Sequence, residues 1–281
     1  MAWRNGQDRQ GSVTVSDSAA ASIEKARAQG RQFIFIAGAE GSGTTVLLRL
    51  LSLPPGGVSL GGNFFKLPEA PAAKMLSGAF DMANRQLWDR KASFAVHAQG
   101  RERWHQAMAA ILESEAFADA SRLFFKRSFP FNMPRDQFAP DLWDVLDLWP
   151  DVRLIAIYRD PRAAAYSAFR RGFDTDIRRL AVVCSEQLTW LAAQIRAIGP
   201  ERVSIIAYRD MVNAPLQTLA PIAESCGIPQ AHLKAAIDAE GLRTTTDSRW
   251  SRELSAEEVG WLNEFFDERR LRQWEILTGG R

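Results

Sequence analysis

The chain has 281 residues, of which 46% are hydrophobic and 24% charged, with a net charge of +2. That is ample material for a sizeable core and one or two domains, and the balanced charge argues against a nucleic-acid partner, which calls for a clear basic excess or stripe. Two cysteines, Cys184 and Cys226, without any C-x-x-C or Cys/His cluster, exclude a disulfide framework or zinc-site motif and give a reducing, cytosolic setting as the expectation.

In chain order, the first fifteen or so residues carry no apolar signal core and are expected to be a tail. A short helix is expected from Asp17, which can cap it, to Gly30, which can end it. Residues 1–30 thus form an N-terminal extension, and 31–281 one domain. No stretch approaches a membrane span.

Gln32–Ala37, Val152–Tyr158 and Val203–Tyr208 are near-continuous apolar runs, as expected of strands buried on both faces. Weaker strands are expected at Gly57–Leu60 and Arg122–Lys126. Helical patterns cover Thr44–Leu53, Glu102–Ala118, Asp136–Leu148, Arg178–Ile198, Ala214–Cys226 and Gln230–Ala239. A last helix starts at Ser255, whose spacing to Glu258 gives a capping box. The stretch around Phe64, Phe65 and Trp88 reads as less regular and as the place for an acceptor pocket. Alternating strands and helices predict an α/β fold, a single domain with a central, mostly parallel sheet flanked by helices. Ligands of such folds sit at the carboxyl ends of the strands.

Two motifs fall at those ends. The first is "GAEGSGTT", Gly38–Thr45, between the first strand and the helix that follows. It fits the phosphate-loop pattern G-x-x-x-x-G-K-[ST] except at Thr44, which stands where the lysine should be. Its glycines let backbone N–H groups converge on an anion, and the helix adds its positive end. The lysine that grips a nucleoside triphosphate is absent. The second motif is "YRDPRAAAYSAFRR". Asp160 is a good N-cap and Pro161 a good first helical residue, which also argues against Asp160 as a magnesium ligand. Arg159 then sits at a strand end, with Ser167 two helical turns beyond Asp160 and on the same face, so that the two can close on one anion.

Two neighbouring anion pockets suit a nucleotide with phosphates at both ends of its ribose. Together the motifs resemble the sulfotransferases that use 3′-phosphoadenosine 5′-phosphosulfate, with a P-loop-like fold. The resemblance assigns Gly41, Ser42, Gly43, Thr44 and Thr45 to the 5′-phosphosulfate, and Arg159 with Ser167 to the 3′-phosphate. "FFKRSFP" is similar to the family's K-x-P segment and brings Lys126 to the transferring sulfuryl group. "VSIIAYRDMVNAPLQ" resembles the late strand and helix, with Tyr208 near the adenine. "DSRWSRELSAEE" resembles the C-terminal segment that closes over the nucleotide, with Arg249, Trp250 and Arg252. The implied activity is sulfuryl transfer to a hydroxyl or amine of a carbohydrate or small molecule, releasing adenosine 3′,5′-bisphosphate, without a metal.

Two positions depart from the pattern. Gly41 stands where the family carries Arg or Lys, and Asn63 stands near the position of the family's catalytic Glu. Glu69 is the first candidate for the base, then His97, with His105 a further alternative. A small-molecule kinase with an altered loop and a non-catalytic nucleotide-binding protein on the same fold stay open as alternatives.

Overall fold

The structure is a computed structural model that describes residues 17–60, 66–87, 94–128, 142–242 and 247–278, with side chains from 85–87 and 94–98 left aside. Asn63, Phe64, Phe65, Trp88 and the start of the predicted helix at Asp136 lie outside the described residues. Helix α1 (Asp17–Ala28) precedes strand β1 (Gln32–Gly38). There follow α2 (Thr44–Ser52), β2 (Gly57–Ser59), α3 (Pro71–Leu87), α4 (Phe94–Glu113), β3 (Arg122–Ser128), α5 (Leu142–Leu148), β4 (Arg153–Tyr158), α6 (Pro161–Arg170) and α7 (Ile177–Ile198). The chain continues through β5 (Val203–Ala207), α8 (Tyr208–Asn213), α9 (Pro215–Ser225), α10 (Gln230–Glu240), α11 (Trp250–Glu253), α12 (Ala256–Phe265) and α13 (Glu268–Arg272).

The five strands form one sheet in the order β2-β3-β1-β4-β5, with every pairing parallel. Central β1 shows why its sequence reads as a solid apolar run. Phe33, Phe35 and Ala37 face a core shared with α3, α4 and α7, while Ile34 and Ile36 face a second core under α2, α9 and α10. Alternate side chains leave a strand on opposite faces, so a strand covered on both sides must be apolar throughout.

After β1 the chain runs to the β2 edge, returns to β3, and then crosses to β4 and β5 on the other side of β1. The strand order therefore reverses at β1. That leaves a crevice beyond its carboxyl end, where open α/β sheets take their ligands.

Some boundaries move. The apolar run of the last strand stops at Ala207, and Tyr208 already starts α8. Helix α4 ends at Glu113 rather than at Ala118, because Ser114 accepts from the Ala116 N–H and starts a 3₁₀ turn over Glu115–Phe117. The stretch expected to be less regular contains a helix of 17 residues, α3. Where the sequence placed an N-cap at Asp160 and a capping box at Ser255–Glu258, the structure has both.

Candidate functional site

The loop between β1 and α2 turns on two glycines. Gly41 has φ +86 and Gly43 φ +100, in the left-handed region that side chains with a Cβ avoid. A Cβ on Gly41 would lie 3.0 Å from the Ala164 carbonyl carbon and closer still to its oxygen, and one on Gly43 would lie 2.6 Å from the Tyr208 ring. Neither position has room for a side chain. Gly43 is the N-cap of α2 and makes no side-chain cap, so the first-turn N–H groups of that helix have no acceptor within it. Ser42 is 1% exposed, and its Oγ has no hydrogen-bond partner among the described residues. A buried hydroxyl left unmatched costs free energy, but this one is closed off from the surface and Ser42 does not line the cavity at the loop.

Thr44 is also buried, and its Oγ1 lies 2.8 Å from the Ser128 Oγ at the end of β3. The hydroxyl that stands in the phosphate-loop lysine position thus ties the loop to the neighbouring strand. Register pairing sets Gly38 beside Ser128 and Ile36 beside Lys126, so Lys126 lies one pleat before the loop. Burial pulls the Lys126 ammonium below the ordinary lysine range, Glu40 pushes it back up, and Arg171 and Arg127 lower it further.

From the other side of β1, β4 delivers the second motif. The Asp160 carboxylate caps the Arg162 N–H and pairs with the Arg162 side chain. Arg159, 7% exposed, points back across the crevice. Its Nη1 donates to the Gly41 carbonyl at 3.0 Å, its Nε to Asp247 Oδ1 at 2.8 Å, and its guanidinium lies 4.2 Å from the centre of the Tyr208 ring. The motifs from β1 and β4 and the residue after β5 therefore meet through one arginine.

Between them lies a cavity of about 430 Å³. Gly41, Gly43, Thr44, Thr45, Arg159, Ser167, Tyr208 and Arg249 line it, all assigned from sequence. Glu40, Tyr166, Arg170 and Arg171 line it as well, and sequence reading passed them over. Four arginines against one carboxylate make a lining that favours an anion. Glu253 accepts from the Tyr166 hydroxyl, from Arg170 and from Arg249, fixing α11 against the cavity-lining face of α6. Trp250 instead packs into the core with its ring 5.1 Å from the Arg162 guanidinium, and Arg252 is exposed; neither lines the cavity.

Of the candidates for the base, Glu69 is exposed ahead of α3, and His97 belongs to α4 with its side chain outside the described residues. His105 is buried, and its two ring nitrogens face the Arg101 and Asp147 carbonyls at 2.9 and 3.3 Å. It ties α4 to the end of α5. Cys184 and Cys226 are free and buried. No helix among the described residues is long and apolar enough to cross a membrane.

Residues 33–232 match the profile of the sulfotransferase family. Among solved structures, a sulfotransferase from Alicyclobacillus acidocaldarius matches at 17% identity over 89% of this chain and 96% of its own, with a TM-score of 0.52. The sulfotransferase domain from the curacin biosynthetic pathway matches at 15% identity over 88% and 98%, with a TM-score of 0.51. At such identities the two structures speak to the fold. No curated protein matches the chain.

Proposed function

The chain belongs to the sulfotransferase family, and from that premise we propose that it transfers a sulfuryl group from 3′-phosphoadenosine 5′-phosphosulfate to a hydroxyl or amine of a carbohydrate or small-molecule acceptor. The observation that carries this reading is the convergence of the glycine loop and of Arg159 with Ser167 on one cavity. A nucleotide with anionic groups on both sides of its ribose suits such a lining. The glycine loop and the α2 N-terminus fit its 5′ end. Arg159 and Ser167 fit the 3′-phosphate. The Tyr208 ring and Arg249 fit the nucleoside.

The donor, when bound, supplies an activated sulfuryl group and a good leaving group. The protein's part is positioning and charge. Lys126 holds a positive charge at the end of β3, where it offsets the charge that develops on the departing phosphate oxygen. The acceptor's proton goes to a side chain on the acceptor side, Glu69 first and His97 second. The same reading takes residues 31–281 as one catalytic domain preceded by a 30-residue extension, working in the cytosol.

Thermal stabilisation by adenosine 3′,5′-bisphosphate against ATP with magnesium tests the proposal. At a hundredfold excess over Kd a ligand stabilises the native state by about 2.7 kcal/mol, which raises Tm by roughly 5–11 °C for a chain of this size. We expect that rise with the bisphosphate and less with ATP-magnesium. The opposite preference would refute the proposal in favour of a kinase. Bisphosphate binding without transfer to any member of a broad acceptor panel would favour a non-catalytic binding protein.

A further inference from the structure

The resemblance places a basic side chain at position 41, and the fold forbids one there. Gly41 is left-handed, a Cβ on it would run into the Ala164 carbonyl, and its own carbonyl is held by Arg159. A positive charge at the mouth of the loop has to come from another element. Helix α6 lays one face along the cavity, with Ala163, Tyr166, Ser167, Arg170 and Arg171 spaced as the successive turns of a helix require. Arg159 stands at one end of that row and Arg171, the C-cap residue of α6, at the other.

The Arg171 Nη2 lies 2.8 Å from Glu40 Oε1, and Glu40 is the residue before Gly41. Arg171 Nε donates to the Ser167 carbonyl at 3.2 Å, and the guanidinium lies 4.7 Å from the centre of the Phe173 ring. The Glu40 backbone N–H in turn donates to Gln187 Oε1 at 3.1 Å. The guanidinium is therefore aimed at the loop from the far end of α6. Among the described residues that line the cavity, Glu40 alone carries a carboxylate. An acidic side chain on an anion-binding loop opposes the ligand, unless its role is to hold a cation in place until the ligand arrives.

We propose that Arg171 is the cation that position 41 cannot carry: Glu40 parks it at the mouth of the loop, and the 5′ anion of the bound nucleotide takes it over. The Arg171 side chain is 45% exposed while Glu40 is 17% exposed, so the carboxylate is held at the loop and the solvent-facing guanidinium is the member that can change partner at little cost in stability. Glu40 raises and Arg171 lowers the Lys126 ammonium, so Lys126 lies within electrostatic reach of the pair. The inference rests on the nucleotide reading given above and deepens it.

The test is calorimetric titration of the full chain with adenosine 3′,5′-bisphosphate and with adenosine 3′-monophosphate, which lacks the 5′ anion. R171A should weaken the bisphosphate about tenfold, the lower range of loss for a charge-assisted hydrogen bond, and leave the monophosphate unchanged. E40Q should tighten the bisphosphate severalfold, because it removes a competing anion and frees the guanidinium. R171K should fall between wild type and R171A, since an ammonium lacks the planar fork. Wild-type affinity in R171A, equal losses for both ligands, or weaker bisphosphate binding in E40Q would each overturn the inference. A wild type that fails to bind the bisphosphate overturns the nucleotide reading itself. Should R171A not fold, the opposite shifts expected of R171K and E40Q still decide the matter.

Discussion

Restoring the family's basic residue at position 41 is expected to damage this protein. The Gly41→Lys change puts a Cβ at φ +86, which costs about 1–2 kcal/mol for an L-residue. The same Cβ would sit 3.0 Å from the Ala164 carbonyl carbon, so α6 and the loop must part, and overpacking of that kind costs about 1–3 kcal/mol. The sum is roughly 2–5 kcal/mol, or a fall in Tm of about 4–20 °C for a domain of this size. Because α6 also carries Ser167 and follows Arg159, the separation also opens the cavity. The assay is thermal melting of Gly41→Ala and Gly41→Lys beside the wild type, with bisphosphate affinity measured on each. The alanine variant isolates the Cβ effect and should account for most of the loss in both. A lysine variant with wild-type Tm and faster transfer would refute the reasoning, since the loop would then have room for a side chain at position 41.

Three further outcomes are expected. Arg159→Ala should weaken adenosine 3′,5′-bisphosphate by about 10–100-fold, the range for a lost charge-assisted contact, and weaken adenosine 5′-monophosphate far less; equal losses in titration would remove Arg159 from the 3′-phosphate. Lys126→Ala should lower kcat by about 10²–10³-fold, as for other groups that stabilise developing charge. The ammonium is the active form, and burial pulls its pKa below the lysine range. The kcat profile should therefore hold at lower pH and fall as pH rises through that lowered pKa. Lys126→Arg should carry the falling limb upward, and an unmoved limb would release Lys126 from this role. His105→Ala should cost about 1–3 kcal/mol, as for buried hydrogen-bonding groups, with kcat unchanged; a lost activity with unchanged melting would instead make His105 the base.

The sequence revealed those parts of the fold in which local chemistry and burial agree. β1 and β4 are apolar on both faces because helices cover both faces, and their ends carry the glycine loop and Arg159. The α6 start was readable because Asp160 and Pro161 act on the backbone next to them. Helix α3 carries a stripe at helical spacing, with Ala73, Phe80 and Ala83 in the core and Leu76 packed against it. Its contrast is blurred, because Ser77, Asp81 and Asn84 are buried beside the stripe while Met75 and Met82 are 69% and 56% exposed. The apolar run continues through Tyr208 and marks it as a strand end, yet helix α8 begins there and turns its ring onto Arg159. The Glu40–Arg171 pair was invisible for a different reason. Its members lie on elements far apart in the chain, and only the pairing of β1 with β4 brings the two together. The steric bar at Gly41 was equally hidden, since it depends on where α6 packs.

The central claim is tested most directly by following labelled sulfur from 3′-phosphoadenosine 5′-phosphosulfate into acceptors presented as sugars, alcohols, phenols and amines. The account predicts label in at least one class, with adenosine 3′,5′-bisphosphate released in equal amount and Arg159→Ala requiring more donor for the same rate. No labelled product in any class, together with phosphoryl transfer from ATP-magnesium to the same panel, would contradict it.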